Sequence, residues 1–190
     1  MQRPARPKDR AGARVRPQRT YEGRRDPRFV AVHRGGRLDD TTHRHLAAWA
    51  AACAERVLPL FASRCPGDDR PAHAVSVAKA WSRHESSVGE ARKAAVAAHA
   101  SARATTDPVA REVARACGHA AATAHMADHE LGAAYYALRA VRLSSSPAEA
   151  DAACARERRA QRDVLPEPIR ALVLSDQVLR RAKFKSAFEE

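Results

Sequence analysis

Three histidines and one aspartate fall within eleven positions of "GHAAATAHMADHELGAAYYAL", residues 118–138: His119, His125, Asp128 and His129. Imidazole titrates near neutral pH and binds transition metals through either ring nitrogen. Such a set can support acid–base chemistry, ligate a metal, or pin a crowded helix by hydrogen bonds. On a continuous helix His125 and His129, four apart, share a face and form a metal half-site. Met126, Ala127 and Asp128 stand between them, so the H-E-x-x-H zinc signature is absent, and Asp128 projects roughly 60° or more away from their stripe. A third ligand has to come from elsewhere, with His84, His99 and Glu85 as candidates. The spacing favours a histidine set that orients the helix or lines a shallow binding groove. His119, His125, Asp128 and His129 are the candidate binding residues, with no catalytic residue, no metal site and no cofactor assigned.

Composition and local signals set these residues in a helical frame. Nearly half the chain is apolar but only 5% is aromatic, and alanine dominates. Alanine has the best helix propensity and lets helix backbones approach closely. Helix starts are written locally. Asp40 or Thr41 precedes a stripe of Leu46, Trp49, Ala50, Cys53 and Val57; Asp69 stands before Pro71; Ser87 with Glu90 forms a capping box; Asp107 precedes Pro108; and Ser146–Pro147 precedes Glu149. A last helix carries Ile169, Leu172 and Val173. Six helices joined by short turns predict an all-α compact bundle. Trp49 and Trp81 are expected as core anchors.

Within residues 107–143 two stripes run nearly opposite each other. One holds Val109, Val113, Ala116, Ala120, Ala124, Ala127, Leu131, Tyr135 and Leu138; the other holds Gly118, Ala122, His125, His129, Gly132 and Tyr136. A helix apolar or small on two faces is central. The glycines are expected either to admit a neighbouring backbone or to break the segment in two.

The formal charge of +12 is unevenly distributed: residues 1–45 carry 13 basic and 5 acidic residues, and residues 46–190 carry the other 21 and 17. Residues 1–37 mix Arg, Pro and Gly without periodicity, which predicts a disordered tail ahead of a folded domain over 38–190. Such an arm can touch nucleic acid loosely, although it lacks the interleaved aromatics that stack bases. Cys53, Cys65, Cys117 and Cys154 form no C-x-x-C pair. No apolar run reaches the ~18 residues of a membrane helix, and no signal-peptide pattern opens the chain. The expected setting is the cytoplasm, with no membrane partner.

The blocks "CAERVLPLF", "DDRPAHAVSVAKAWSRHE", "AAHASARAT", "GHAAATAHMADHELGAAYYAL" and "LPEPIRALVLSDQ" resemble the Imm-5-like immunity domain of bacterial polymorphic toxin systems, from about Leu38 to Gln177. The resemblance implies a small all-α protein that binds a cognate toxin domain and neutralises it without catalysis; it carries over no site residues. Charge adds its own constraint. A nuclease inhibitor that mimics DNA should be acidic, and this chain is net positive over its folded part. Two other readings compete on the residues alone: a nucleic-acid-associated protein using the arginine-rich arm, and a metal-dependent enzyme built on His125 and His129.

Overall fold

The computed structural model describes residues 20–189. Seven α-helices follow in order: α1 Asp40–Ala62, α2 Arg70–Ser82, α3 Val88–Ala104, α4 Pro108–Ala122, α5 Glu130–Ser144, α6 Ala150–Asp163 and α7 Glu167–Leu179. Among the described residues the only β pairing is a single bridge between Ala31 and Leu38. The all-α reading holds, with seven helices in place of six because residues 107–143 are two helices.

Most helix starts obey the local signals. Ser87 and Glu90 exchange both capping-box bonds at α3, and the Asp107 carboxylate accepts from the Ala110 amide at α4. At α1 the cap is Asp39, one residue earlier than expected, accepting from Thr42 N–H at 2.8 Å. Asp69 occupies the cap position of α2 without a side-chain bond; its neighbour Asp68 accepts from the Arg70 side chain, the Arg70 amide and the Ser101 hydroxyl instead. That guanidinium holds the Asp68 carboxyl far below the usual carboxylate range.

α4 is the central helix, packed against α1, α2, α3 and α5. Every residue of its first stripe, continued into α5, is buried. Trp49 is buried and donates its indole N–H to the Gln161 carbonyl at 2.9 Å, tying α1 to α6. Trp81 is buried beside Ala47, Ala91 and Ala124. Both tryptophans are core anchors, and all four cysteines carry free thiols.

The expected tail needs correction. Residues 1–19 lie outside the described residues, but residues 20–37, read as disordered, form a strap across the bundle. Two 3-10 turns, Pro27–Phe29 and Val32–Arg34, shape it, and the Asp26 carboxylate caps the first. Phe29 and Val30 are buried, and the strap closes on Leu38 through paired backbone bonds. Arg25 and Arg28 reach across to Asp128 and Ser175. The charge-rich composition concealed two large apolar side chains whose burial offsets the ordering cost, at about 1.5–3 kcal/mol each.

Candidate functional site

The α4–α5 junction, residues 123–129, carries three of the four candidate residues, and His119 precedes it by one turn. Neither glycine breaks the helix. The Thr123 hydroxyl donates back to the His119 carbonyl, and the Thr123 carbonyl accepts from His43 Nε2 of α1 at 2.6 Å. That acceptor is therefore engaged across the bundle, and at Met126 the chain turns extended (φ −145°, ψ 102°) before a 3-10 turn, Ala127–His129, leads into α5. A carbonyl can only accept, so the His43 proton sits on Nε2. Burial lowers the His43 pKa and keeps it neutral.

His119 and His129 meet across the junction, their Nδ1 atoms 3.0 Å apart. One neutral ring must donate and the other accept, a complementary pair of tautomers. Burial drives both imidazoles down, His119 to about 3 and His129 to about 4, with each further lowered by a neighbouring histidine. His119 also stacks on Tyr136, with centroids 5.2 Å apart, and meets the edge of His99 at 5.2 Å.

Here the glycines find their reason. A Cβ on Gly118 would lie 2.6 Å from the His99 ring, and one on Gly132 would lie 2.6 Å from the His119 ring. They admit imidazoles, where the sequence pattern suggested a neighbouring backbone.

His119, Asp128 and His129 line one small cavity of about 190 Å³ with Tyr135, Tyr136 and Lys183. The His125 ring meets that of His129 at 5.6 Å but lines a second cleft, of about 230 Å³, on the strap side. The four candidates are thus divided between two concavities by the junction itself. His125 and His129 do not share a helix face, because α4 ends at Ala122 before both of them, although their rings still meet; of the candidate third ligands, His84 and Glu85 are exposed at the end of α2, and only His99 joins the cluster. Among the described residues no group of three or more His, Cys, Asp or Glu side chains is arranged to hold a metal ion.

Asp128 is not free. Its carboxylate takes a two-pronged hydrogen bond from Arg25 of the strap, at 2.8 and 3.4 Å. Its carbonyl accepts from Arg180 at 2.8 Å. Arg180 in turn binds Glu130 at 3.1 Å and Asp176, both fully buried, and lies over Phe29 and Phe184. Burial pushes the Glu130 carboxyl up, with Asp176 adding to the effect, so one guanidinium serves two carboxyl groups of which Glu130 holds its proton more tightly than usual. This knot joins strap, junction and α7.

Arg25, Asp176, Arg180 and Lys183 escaped the sequence reading. For Asp176 a signal existed: Ile169, Val173, Asp176 and Arg180 fall on one helical stripe, so an acid and a base belonged to a buried face. Arg25 had none, because its meaning depends on the strap folding back.

No curated protein and no solved structure matches the chain. A family model described as "Imm-5 like putative immunity protein" matches residues 36–168, more than two thirds of the chain, spanning α1 to α6 and the junction. The chain belongs to the Imm-5 like immunity protein family.

Proposed function

We propose that this protein is a bacterial immunity protein that binds a cognate toxin domain in the cytoplasm and neutralises it by occupation, without catalysis. The observation that carries this reading is the family match over residues 36–168. The recognition face we assign is the α4–α5 junction with the two concavities beside it, so that His119, His125, Asp128 and His129 frame the contact. Two features support that choice. The junction interrupts the central helix and is exposed in part at Asp128, His125 and His129. It is also held rigidly by Arg25, His43 and Arg180, so little ordering cost remains to be met on binding.

The test is co-expression of the full chain with the toxin-like domain encoded nearest to it, followed by co-purification in 0.5 M salt, where the Debye length is about 4 Å. The full chain is required, because truncation at residue 38 would remove Phe29 and Val30 from the core. A stoichiometric complex and restored growth are expected. Ala substitutions at His125 and Asp128 should weaken the complex; unchanged binding would move the contact off the junction. Absence of any complex, with the chain retaining nucleic acid only at low salt, would favour the arginine-arm reading.

A further inference from the structure

The cleft on the strap side of the junction is lined by cations. Arg25, Arg34 and Arg44 reach it together with His33, His43 and His125, and its one acidic lining residue, Asp40, is bound to Arg44 at 2.8 Å. Arg25 is likewise engaged, by Asp128. Arg34 is exposed and meets no carboxylate among the described residues; Arg92, exposed on α3 and likewise without a carboxylate partner among them, does not line the cleft but stands one helical turn beyond Val88, which does. Burial and these guanidiniums, Arg92, Arg25 and Arg34, lower the His125 pKa against the opposing pull of Asp128. Its buried Nδ1 has no hydrogen-bond partner among the described residues, so the ring retains hydrogen-bonding capacity that the fold does not use. The cleft therefore holds uncompensated positive charge and an imidazole with an unspent nitrogen.

Size and lining decide what enters. About 230 Å³ falls below the roughly 300 Å³ at which drug-sized ligand sites begin, so the cleft holds a side chain or two and no extended strand. Nucleic acid would need a basic track with free aromatic faces. Both aromatics here are already covered: Trp81 by Arg44 at 4.6 Å and the His43 edge at 4.8 Å, and Phe29 by Arg28 and Arg180. The remaining wall is apolar, from Ala31, Leu38, Val88 and Ala127. A short aliphatic stem ending in an anion matches that combination.

We propose that this cleft receives an aspartate or glutamate side chain presented by the toxin domain, with Arg34 and His125 as its receivers and Arg92, one turn along α3 from the cleft wall, adding positive charge beside it. The inference rests on the toxin-binding reading above and specifies the chemistry of its partner.

The experiment is calorimetric titration of the toxin domain into the full chain and into its Arg34→Glu, Arg92→Glu and doubly reversed variants. Because neither arginine side chain bonds to another described residue, thermal midpoints should match the wild type. Each reversal should weaken binding by about ten-fold or more, and the pair by considerably more. Exposed acidic residues of the toxin are then reversed to Lys one at a time. One of them should lose affinity for the wild-type chain and regain it for Arg34→Glu or Arg92→Glu. Equal binding by wild type and double variant, or no toxin acid showing that exchange, would overturn the proposal while leaving toxin binding intact. Failure of the wild-type chain to bind the toxin at all would instead remove the parent reading, and this one with it. Single-stranded DNA that displaces the bound toxin in an Arg34-dependent manner would give the cleft to phosphate and overturn the assignment.

Discussion

The cluster at the centre of α1 to α5 and the one that closes the bundle beneath the strap are built from opposite materials. Eighteen of the twenty-four buried residues of the first are alanine, whereas the second gathers Phe29, Leu46, Trp49, Leu131, Ile169, Phe184 and Phe188 from the strap, α1, α5, α7 and the chain beyond it. Alanine-lined helices approach closely, so the first cluster gains its stability from many short contacts and, outside Val57, Phe61, Val75, Val109 and Val113, has little to lose by truncation. It is vulnerable to enlargement. The second concentrates its apolar area in a few large side chains and is vulnerable to their removal. The family match covers all of the first cluster and stops short of Phe29, Ile169, Val173, Phe184 and Phe188 in the second. In this chain, the segments that finish the fold lie outside the region that identifies it.

The sharpest way to break the comparison is at the charged knot on the edge of the second cluster. Arg180→Leu leaves Glu130 and Asp176 buried without their cation and should cost about 3–5 kcal/mol in urea unfolding. Adding Glu130→Gln and Asp176→Asn should recover part of that loss; a double-mutant cycle showing no recovery would mean Arg180 acts only through its stacking on Phe29 and Phe184. Phe29→Ala should cost about 3 kcal/mol. It should also open residues 20–37 to trypsin before global unfolding, and resistance of the strap in that variant would place its anchor elsewhere.

Acid should act on the junction. His119 and His129 have folded pKa values, about 3 and about 4, below the usual 6.5. The unfolded chain then binds more protons, so their stabilising contribution is complete above pH 6.5 and is lost as pH falls toward 4 and 3. Glu130, raised by burial, contributes with the opposite sign, favouring the fold at low pH and losing that contribution as pH rises through its folded value. Urea midpoints should decline between pH 7 and pH 5, and His119→Gln with His129→Gln should flatten that decline. An unchanged slope would assign the acid sensitivity to other groups.

The smallest effects test the alanine side. Gly118→Ala and Gly132→Ala each force an imidazole aside and should cost about 1–3 kcal/mol. Gly89→Ala, whose new methyl meets nothing nearer than the Ser87 hydroxyl at 3.7 Å, should be neutral or stabilise by up to about 1 kcal/mol. Equal effects at all three positions would mean that helix propensity, and not the histidine slots, governs these glycines.

What the sequence by itself determined is local or repetitive. The all-α class follows from alanine content and periodicity, and the starts of α3 and α4 from bonds that span only three residues, Ser87 with Glu90 and Asp107 with Ala110. Burial of Trp49 and Trp81 follows from their place on apolar stripes. Only the tertiary structure decided the rest. Residues 20–37 could not be told from a solvated arm, because Phe29 is buried in a cluster drawn from α1, α5, α7 and the C-terminal segment, most of it far along the chain. The Thr123 carbonyl at the end of α4 is taken up by His43, eighty residues earlier. The candidate residues lay in one stretch, but their grouping into His119 with His129 on one side and His125 with Arg34 on the other was written nowhere locally. Periodicity records which face of an element is buried, and it is silent about which distant side chain will meet that face.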